Sequence, residues 1–328
     1  MNVFTQNPFN LLNSNTKKAR YNKNRKTLKT MKTLKKMNCS PAVKGKTINK
    51  NTCFTKDVLF KIKDAYNKGH SLEEKIVSNE PNEIWNTLRE RLVKCEKEDC
   101  WLSEITDANL RKQIDDCIFA PDQPPEWKTN KNEWLSNIDI SNVMKQYEHT
   151  HKNFKFIGPT PIDFATRVPE RNGKCVWEEL CTISIENLLK QGKTKIGITF
   201  NLDDHNGPGS HWVSMFIDLN DKYVFYYDSA GNDIPEEIND LRKEIVQQCR
   251  NIKPRKMKMK FYKNYPVEHQ QGNTECGMYS LFFIITMLTA KVDGMPKLSL
   301  AKKIKMFKGG KISDSYVEKY RNVYFNFE

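Results

Sequence analysis

The sequence predicts an α+β fold. A mixed, mainly antiparallel central sheet is flanked by helices, and a helical region and a disordered basic arm precede it. Three observations predict this. The β-rich runs KIGITFNL (Lys195–Leu202), HWVSMFIDL (His211–Leu219) and KYVFYYD (Lys222–Asp228) follow one another across turn-like segments, as consecutive antiparallel strands do. CGMYSLFFIITMLTA, from Cys276 to Ala290, is apolar all round, which marks a buried central helix. Between about Thr55 and Asp116 the apolar spacing is that of amphipathic helices.

Taken along the chain, DVLFKIKDAYNK places Val58, Leu59, Ile62 and Ala65 on one helical face, and a second helix starting near Pro81 carries Ile84, Trp85, Leu88 and Leu92. APDQPPEWK (Ala120–Lys128), with three prolines, is expected to be a linker. A helix is then expected from near Ser141. FKFIGPTPIDF (Phe154–Phe164) reads as a short apolar segment stopped by Gly158, Pro159 and Pro161, and CVWEELCTISIENLLKQGK reads as a helix ending at Gly192. PEEINDLRKEIVQQCR is amphipathic, with Pro235 near its first turn. KMKMKFY alternates Met257, Met259 and Phe261 against lysines, as a half-buried strand would, so the basic run over 253–263 reads as a solvated face. The expected organisation is a disordered arm over 1–50, a helical accessory domain over 51–125 and a catalytic domain over 126–328.

The charge is unevenly spread. Thirteen of the 54 Lys and Arg residues and none of the 40 acidic ones lie in residues 1–50, which leaves 41 against 40 elsewhere. Only the arm is a candidate for non-specific nucleic-acid contact; the body is nearly neutral. The run KKARYNKNRK (Lys17–Lys26) also fits a nuclear localisation signal. Nine cysteines, an odd count in a long chain, do not read as a disulfide scaffold, so free thiols in a reducing compartment are expected. No secretory signal is visible, and the apolar stretch from Met278 to Ala290 is too short to span a bilayer, so no membrane partner is expected. The spacings among Cys95, Cys100, Cys117, Cys175 and Cys181 are loose, and no histidine pair follows at finger spacing. No metal and no cofactor is expected.

The chemistry concentrates in four residues. His211 opens a strand after a Gly-Pro-Gly turn, and Asp228 closes the next run 17 residues later. A hairpin between these runs brings the carboxylate beside the imidazole, where it fixes the tautomer and stabilises the imidazolium. Cys276 stands at the start of the buried helix, where the dipole favours a thiolate. With His211 beside it, the sulfur can attack a carbonyl. Gln270, six residues earlier, can set its amide N–H₂ beside that carbonyl and share an oxyanion hole with the Cys276 backbone N–H. Gln271 competes for this role, and spacing favours Gln270. Gly277 is expected to leave room for a substrate backbone. His205 and His269 flank the motifs and read as exposed loop residues.

These residues resemble a known family. His211-Trp212, the aromatic strand ending in Asp228, Gln270, and Glu275-Cys276-Gly277 stand in the order of the SUMO-specific and adenovirus-type cysteine proteases. WLSNIDI (Trp134–Ile140) resembles the start of their catalytic domain. KCEKEDCW (Lys94–Trp101) and FIGPTPIDF are similar to thiol proteases of large cytoplasmic DNA viruses of the mimivirus-like kind. The resemblance implies a thiol protease that cleaves after Gly-Gly or Gly-x, threading small residues between tryptophans, here Trp212 and Trp134; Trp212 reads equally as a core residue. It implies an endopeptidase maturing viral core or structural proteins, or else an isopeptidase removing SUMO-like or ubiquitin-like modifiers from host proteins. The expected substrate is thus a polypeptide, and the protein itself is expected in the virion and host cytoplasm, with the nucleus open. A non-enzymatic alternative is a virion protein that binds nucleic acid through residues 1–50.

Overall fold

The computed structural model describes residues 33–254 and 256–327. Three helices come first: α1 (Lys56–Gly69), α2 (Pro81–Arg91) and α3 (Ala108–Ile118). Thr55 and Asp107 cap α1 and α3 through their side chains, and Pro81 takes the first turn of α2, where its missing N–H costs nothing. Their apolar faces enclose Phe54, Ile62, Leu88, Trp101 and Phe119 in a core of their own.

Residues 33–50 belong to that core, which corrects the expectation of an arm extending to residue 50. Met37 and Val43 are buried, Ser40 N–H donates to the Ile118 carbonyl, and Cys39 is disulfide-bonded to Cys53. The lysines that made the stretch look unpacked, Lys35, Lys36, Lys44, Lys46 and Lys50, all stay at the surface. A few apolar anchors and one covalent link suffice to hold such a segment. The remainder of the expected arm, residues 1–32, lies outside the described residues.

The expectation of free thiols is corrected as well. Cys39–Cys53, Cys95–Cys100 and Cys175–Cys181 form disulfides, while Cys117, Cys249 and Cys276 are thiols. Each pair closes a short local loop, which an odd total does not reveal.

The linker Ala120–Lys128 is packed rather than free: Trp127 is buried against Phe325 and under the Arg321 guanidinium. Helix α4 (Asn137–Thr150) begins four residues earlier than expected, because Ser136 and Asp139 form a capping box. Phe154–Pro161 is a strand, β1, not merely an apolar segment. The short strands β2 (Arg167–Val168) and β3 (Lys174–Cys175) pair with each other. The single helix expected before Gly192 is two, α5 (Glu178–Cys181) and α6 (Ile185–Lys190). Strands β4 (Lys195–Asn201), β5 (Trp212–Asp218) and β6 (Tyr223–Tyr227) follow, then α7 (Glu236–Asn251) and a short β7 (Lys260–Lys263). The chain closes with α8 (Cys276–Thr289), α9 (Leu300–Gly309), α10 (Asp314–Glu318) and α11 (Arg321–Tyr324).

The main sheet runs β1-β4-β5-β6-β7. Its two inner ladders are antiparallel, and its outer strands β1 and β7 pair in parallel. Period-two alternation divides the side chains between two layers. Phe216, Tyr223, Phe225 and Tyr227 face α4 and α8; Val213, Met215, Ile217, Val224 and Tyr226 face α6 and α7. Helix α8 is covered on every side, with all residues from Cys276 to Leu288 buried. Each large apolar side chain so buried stabilises by roughly 1.5–3 kcal/mol, so the helix that carries Cys276 is fixed by packing from end to end.

Candidate active site

Two neighbouring strands and the start of α8 build the site. The β5–β6 register sets Ser214 opposite Tyr227, so Asp228 lies one step beyond the ladder and His211 just before β5. Buried Asp218 holds the far end of the hairpin: it accepts the N–H groups of Asn220 and Asp221 and pairs with Lys195. At the near end, the imidazole Nε2 of His211 lies 2.6 Å from Asp228 Oδ1, which also accepts the Ala230 N–H at 2.8 Å. Asp228 is fully buried. Asn264 brackets its backbone, accepting the Asp228 N–H at 2.9 Å and donating to the Asp228 carbonyl at 2.6 Å. Gly231, with φ +73°, closes the following turn; a Cβ there would meet the Glu268 backbone N at 2.7 Å, so only glycine fits.

Cys276 is the first residue of α8 and is 1% exposed. His211 interacts with it as well as with Asp228. Burial alone would lower the histidine's pKa, but the bonds and charges of Asp228 and Cys276 outweigh it and push it up to about 10. His211 is therefore an imidazolium at neutral pH, held between a carboxylate and a sulfur.

Gln270 is buried on the third side. Its amide oxygen accepts the Ser229 hydroxyl at 2.7 Å, and its Nε2 donates to the Gly272 carbonyl at 2.9 Å. The Gly272 carbonyl, which can only accept, thus fixes which way the amide points, and one amide hydrogen is left for another acceptor. Gln271 is exposed, so of the two glutamines only Gln270 is an enclosed donor.

Trp212 is buried, and its indole N–H donates to the Leu135 carbonyl at 3.0 Å. Gly277 does not leave an open space as expected. A Cβ there would meet Leu135 Cβ at 3.0 Å and Trp212 Cδ1 at 3.3 Å, so the missing side chain admits this Leu–Trp pair against α8. Trp134 is half-buried beside Leu135.

His269 departs most from expectation. It is fully buried, with Nε2 donating to the Phe307 carbonyl at 2.9 Å and Nδ1 accepting the Ile312 N–H at 3.1 Å. Burial lowers its pKa, with the Phe307 bond opposing and Lys311 reinforcing. It ties the Gln270 loop to the C-terminal segment, which sequence periodicity could not reveal. His205 is exposed as expected and bonds Asp163. Ser229 and Asn264 were missed, and His269 was misplaced, because each acts through polar contacts to residues distant in sequence; the only local signal was their proximity to Asp228 and Gln270. A cleft of about 1310 Å³ opens elsewhere, between α3 and α4, and its lining includes none of these residues.

Comparison with known proteins agrees with this geometry. Residues 193–317 match the Ulp1 protease family, C-terminal catalytic domain, and residues 109–251 match the Vaccinia virus I7 processing peptidase. A protein of Acanthamoeba polyphaga mimivirus named as a thiol protease is 29% identical over 296 residues, covering 84% of this chain and 89% of that protein. A cysteine protease of African swine fever virus is 34% identical over 98 residues, covering 29% of this chain and 35% of the relative, so that match spans about a third of its length. The crystal structure of an African swine fever virus protease superposes with a TM-score of 0.58 at 19% identity, covering 90% of this chain and 98% of that one; it shares the fold. Over residues 193–317 the chain is thus similar to a Ulp1-family catalytic domain, and it is a cysteine protease.

Proposed function

We propose that this protease is an endopeptidase that cleaves after small residues, of the Gly-Gly-x or Gly-x type, and that its substrates are viral core or structural proteins. One observation carries the reading: an imidazolium at His211, held by buried Asp228, stands against Cys276 while Gln270 offers an enclosed amide hydrogen nearby. An imidazolium beside a cysteine sulfur favours the thiolate, the nucleophilic form. The thiolate attacks the peptide carbonyl. The Cys276 backbone N–H and the Gln270 amide receive the charge that develops on oxygen. His211 gives its proton to the departing amine and then takes one from the water that releases the acyl group. The preference for small residues rests on Leu135 and Trp212, which close over Gly277 beside the sulfur and leave little width for side chains.

A second reading, an isopeptidase acting on SUMO-like or ubiquitin-like conjugates, uses the same four residues. It is favoured by a relative from African swine fever virus that bears the name SUMO-1 cysteine protease and is 32% identical over 99 residues. The basic N-terminal stretch adds non-specific nucleic-acid contact to either reading, and action in the virion or the host cytoplasm fits both. The deciding experiment is a panel of Gly-Gly-x peptides beside SUMO and ubiquitin precursors. Faster turnover of peptides supports the first reading, faster turnover of folded modifiers the second, and turnover of neither overturns both.

A further inference from the structure

We infer that Asp314, in the C-terminal segment, is a positioning residue for the oxyanion donor. The inference rests on the role given to Gln270 above and adds what holds that residue in place.

Gln270 begins the loop that leads into Cys276. The loop segment after it, Gln271-Gly272, takes few of its bonds from regular structure. Its N–H groups go to one carboxylate: Gly272 donates to Asp314 Oδ2 at 2.7 Å, and Gln271 donates to the same oxygen at 3.1 Å. The carboxylate is also bound from the other side. Tyr279, three residues after Cys276 on α8, sets its hydroxyl 2.8 Å from Asp314 Oδ1 and 2.8 Å from the Ile312 carbonyl. The loop and the helix of the nucleophile are thereby tied to one anion.

The link to the donor is direct. The Gly272 carbonyl accepts Gln270 Nε2 at 2.9 Å, so the peptide clamped by Asp314 is also the one from which the Gln270 amide hangs. Ser229 fixes the other end of that amide. Asp314 therefore sets the spacing between the Gln270 amide and Cys276, touching neither substrate nor sulfur. Oxyanion donors act through placement, so a shift of the loop weakens transition-state binding more than substrate binding.

The test compares Asp314→Ala with Gln270→Ala and the double variant. Two quantities are measured on the full chain: steady-state cleavage of a Gly-Gly-x peptide, and alkylation of Cys276 by iodoacetamide, read by mass spectrometry of its peptide. Alkylation needs the His211–Cys276 pair but no oxyanion hole. Asp314→Ala is expected to lower kcat by about 10–100-fold with KM little changed. Its alkylation rate should stay within about twofold of wild type, and the double variant should fall only slightly below Gln270→Ala. A parallel loss of alkylation, or a multiplicative loss in the double variant, would mark a merely structural role and overturn the inference. If Gln270→Ala leaves kcat unchanged, the oxyanion reading falls and this inference with it. If Gln270→Ala lowers kcat and Asp314→Ala does not, the positioning inference alone falls. Should Asp314→Ala fail to fold, Tyr279→Phe replaces it; the expected kcat loss is a few-fold with normal alkylation, and an unchanged kcat overturns the proposal.

Discussion

Asp228→Asn separates the orienting role of the carboxylate from the proton-transfer role of the histidine. One oxygen of Asp228 accepts both His211 Nε2 and the Ala230 N–H, and the other is buried without a hydrogen-bond partner. An asparagine oxygen can take the first position and keep both bonds, which leaves its NH₂ in the second. What is lost is the negative charge. A hydrogen bond between charged groups contributes about 1.5–3 kcal/mol and a neutral one about 0.5–1.5, so the imidazolium loses on the order of 1–1.5 kcal/mol. At 1.36 kcal/mol per pKa unit, that lowers the His211 pKa by about one unit. The sign follows from the raised value. His211 holds its proton up to about pH 10, and this pairing contributes stability that is full below about 6.5 and lost as pH rises toward 10. In Asp228→Asn the alkaline limb of kcat/KM should therefore move down by about one unit. His211→Ala, which removes the proton carrier, should be far more damaging. A pH–rate profile of the three proteins measures this. An unmoved alkaline limb, or a larger loss from Asp228→Asn than from His211→Ala, would refute the assignment.

Two further predictions concern stability and the N-terminus. Buried His269 has a folded-state pKa below its ordinary 6.5, so the unfolded chain binds its proton first, and stability should fall as pH drops below about 6.5. In melting curves between pH 7.5 and 5.5, His269→Gln, which keeps a donor and an acceptor but does not titrate, should flatten this dependence; an unchanged slope would contradict the burial argument. Residues 1–32 carry eight Lys and Arg and no acidic residue, so we propose that they bind nucleic acid without sequence preference. In filter binding, a chain beginning at Thr33 should lose affinity relative to the full chain, and the full chain's affinity should fall steeply with salt. Equal affinity of the two, or indifference to salt, would sink the idea.

The catalytic half of the chain was legible where physics repeats along the sequence. The β-rich runs His211–Leu219 and Lys222–Asp228, separated by a short turn-like segment, gave the hairpin, and the hairpin gave His211 beside Asp228. The all-round apolar run gave α8 with Cys276 at its start. Features that rest on single long-range contacts were hidden. Asp314 lies more than 40 residues from the loop it clamps, and no periodicity connects them. His269 looked like loop because its neighbours are polar, yet Phe307 and Ile312 from the C-terminal segment enclose it. Residues 33–50 looked unpacked because lysines dominate the count, although Met37, Val43 and one disulfide hold them. Strand β1 was obscured by Gly158 and Pro159, which interrupt its register against β4 between Ile157 and Thr160.

The most direct test of the account is Cys276→Ser assayed on a peptide that the wild-type protein cleaves. The hydroxyl is far less acidic than the thiol, so the ion pair with His211 is lost while the buried volume hardly changes. The account predicts no detectable cleavage, with circular dichroism and melting temperature close to wild type. Cleavage at the wild-type rate would contradict it.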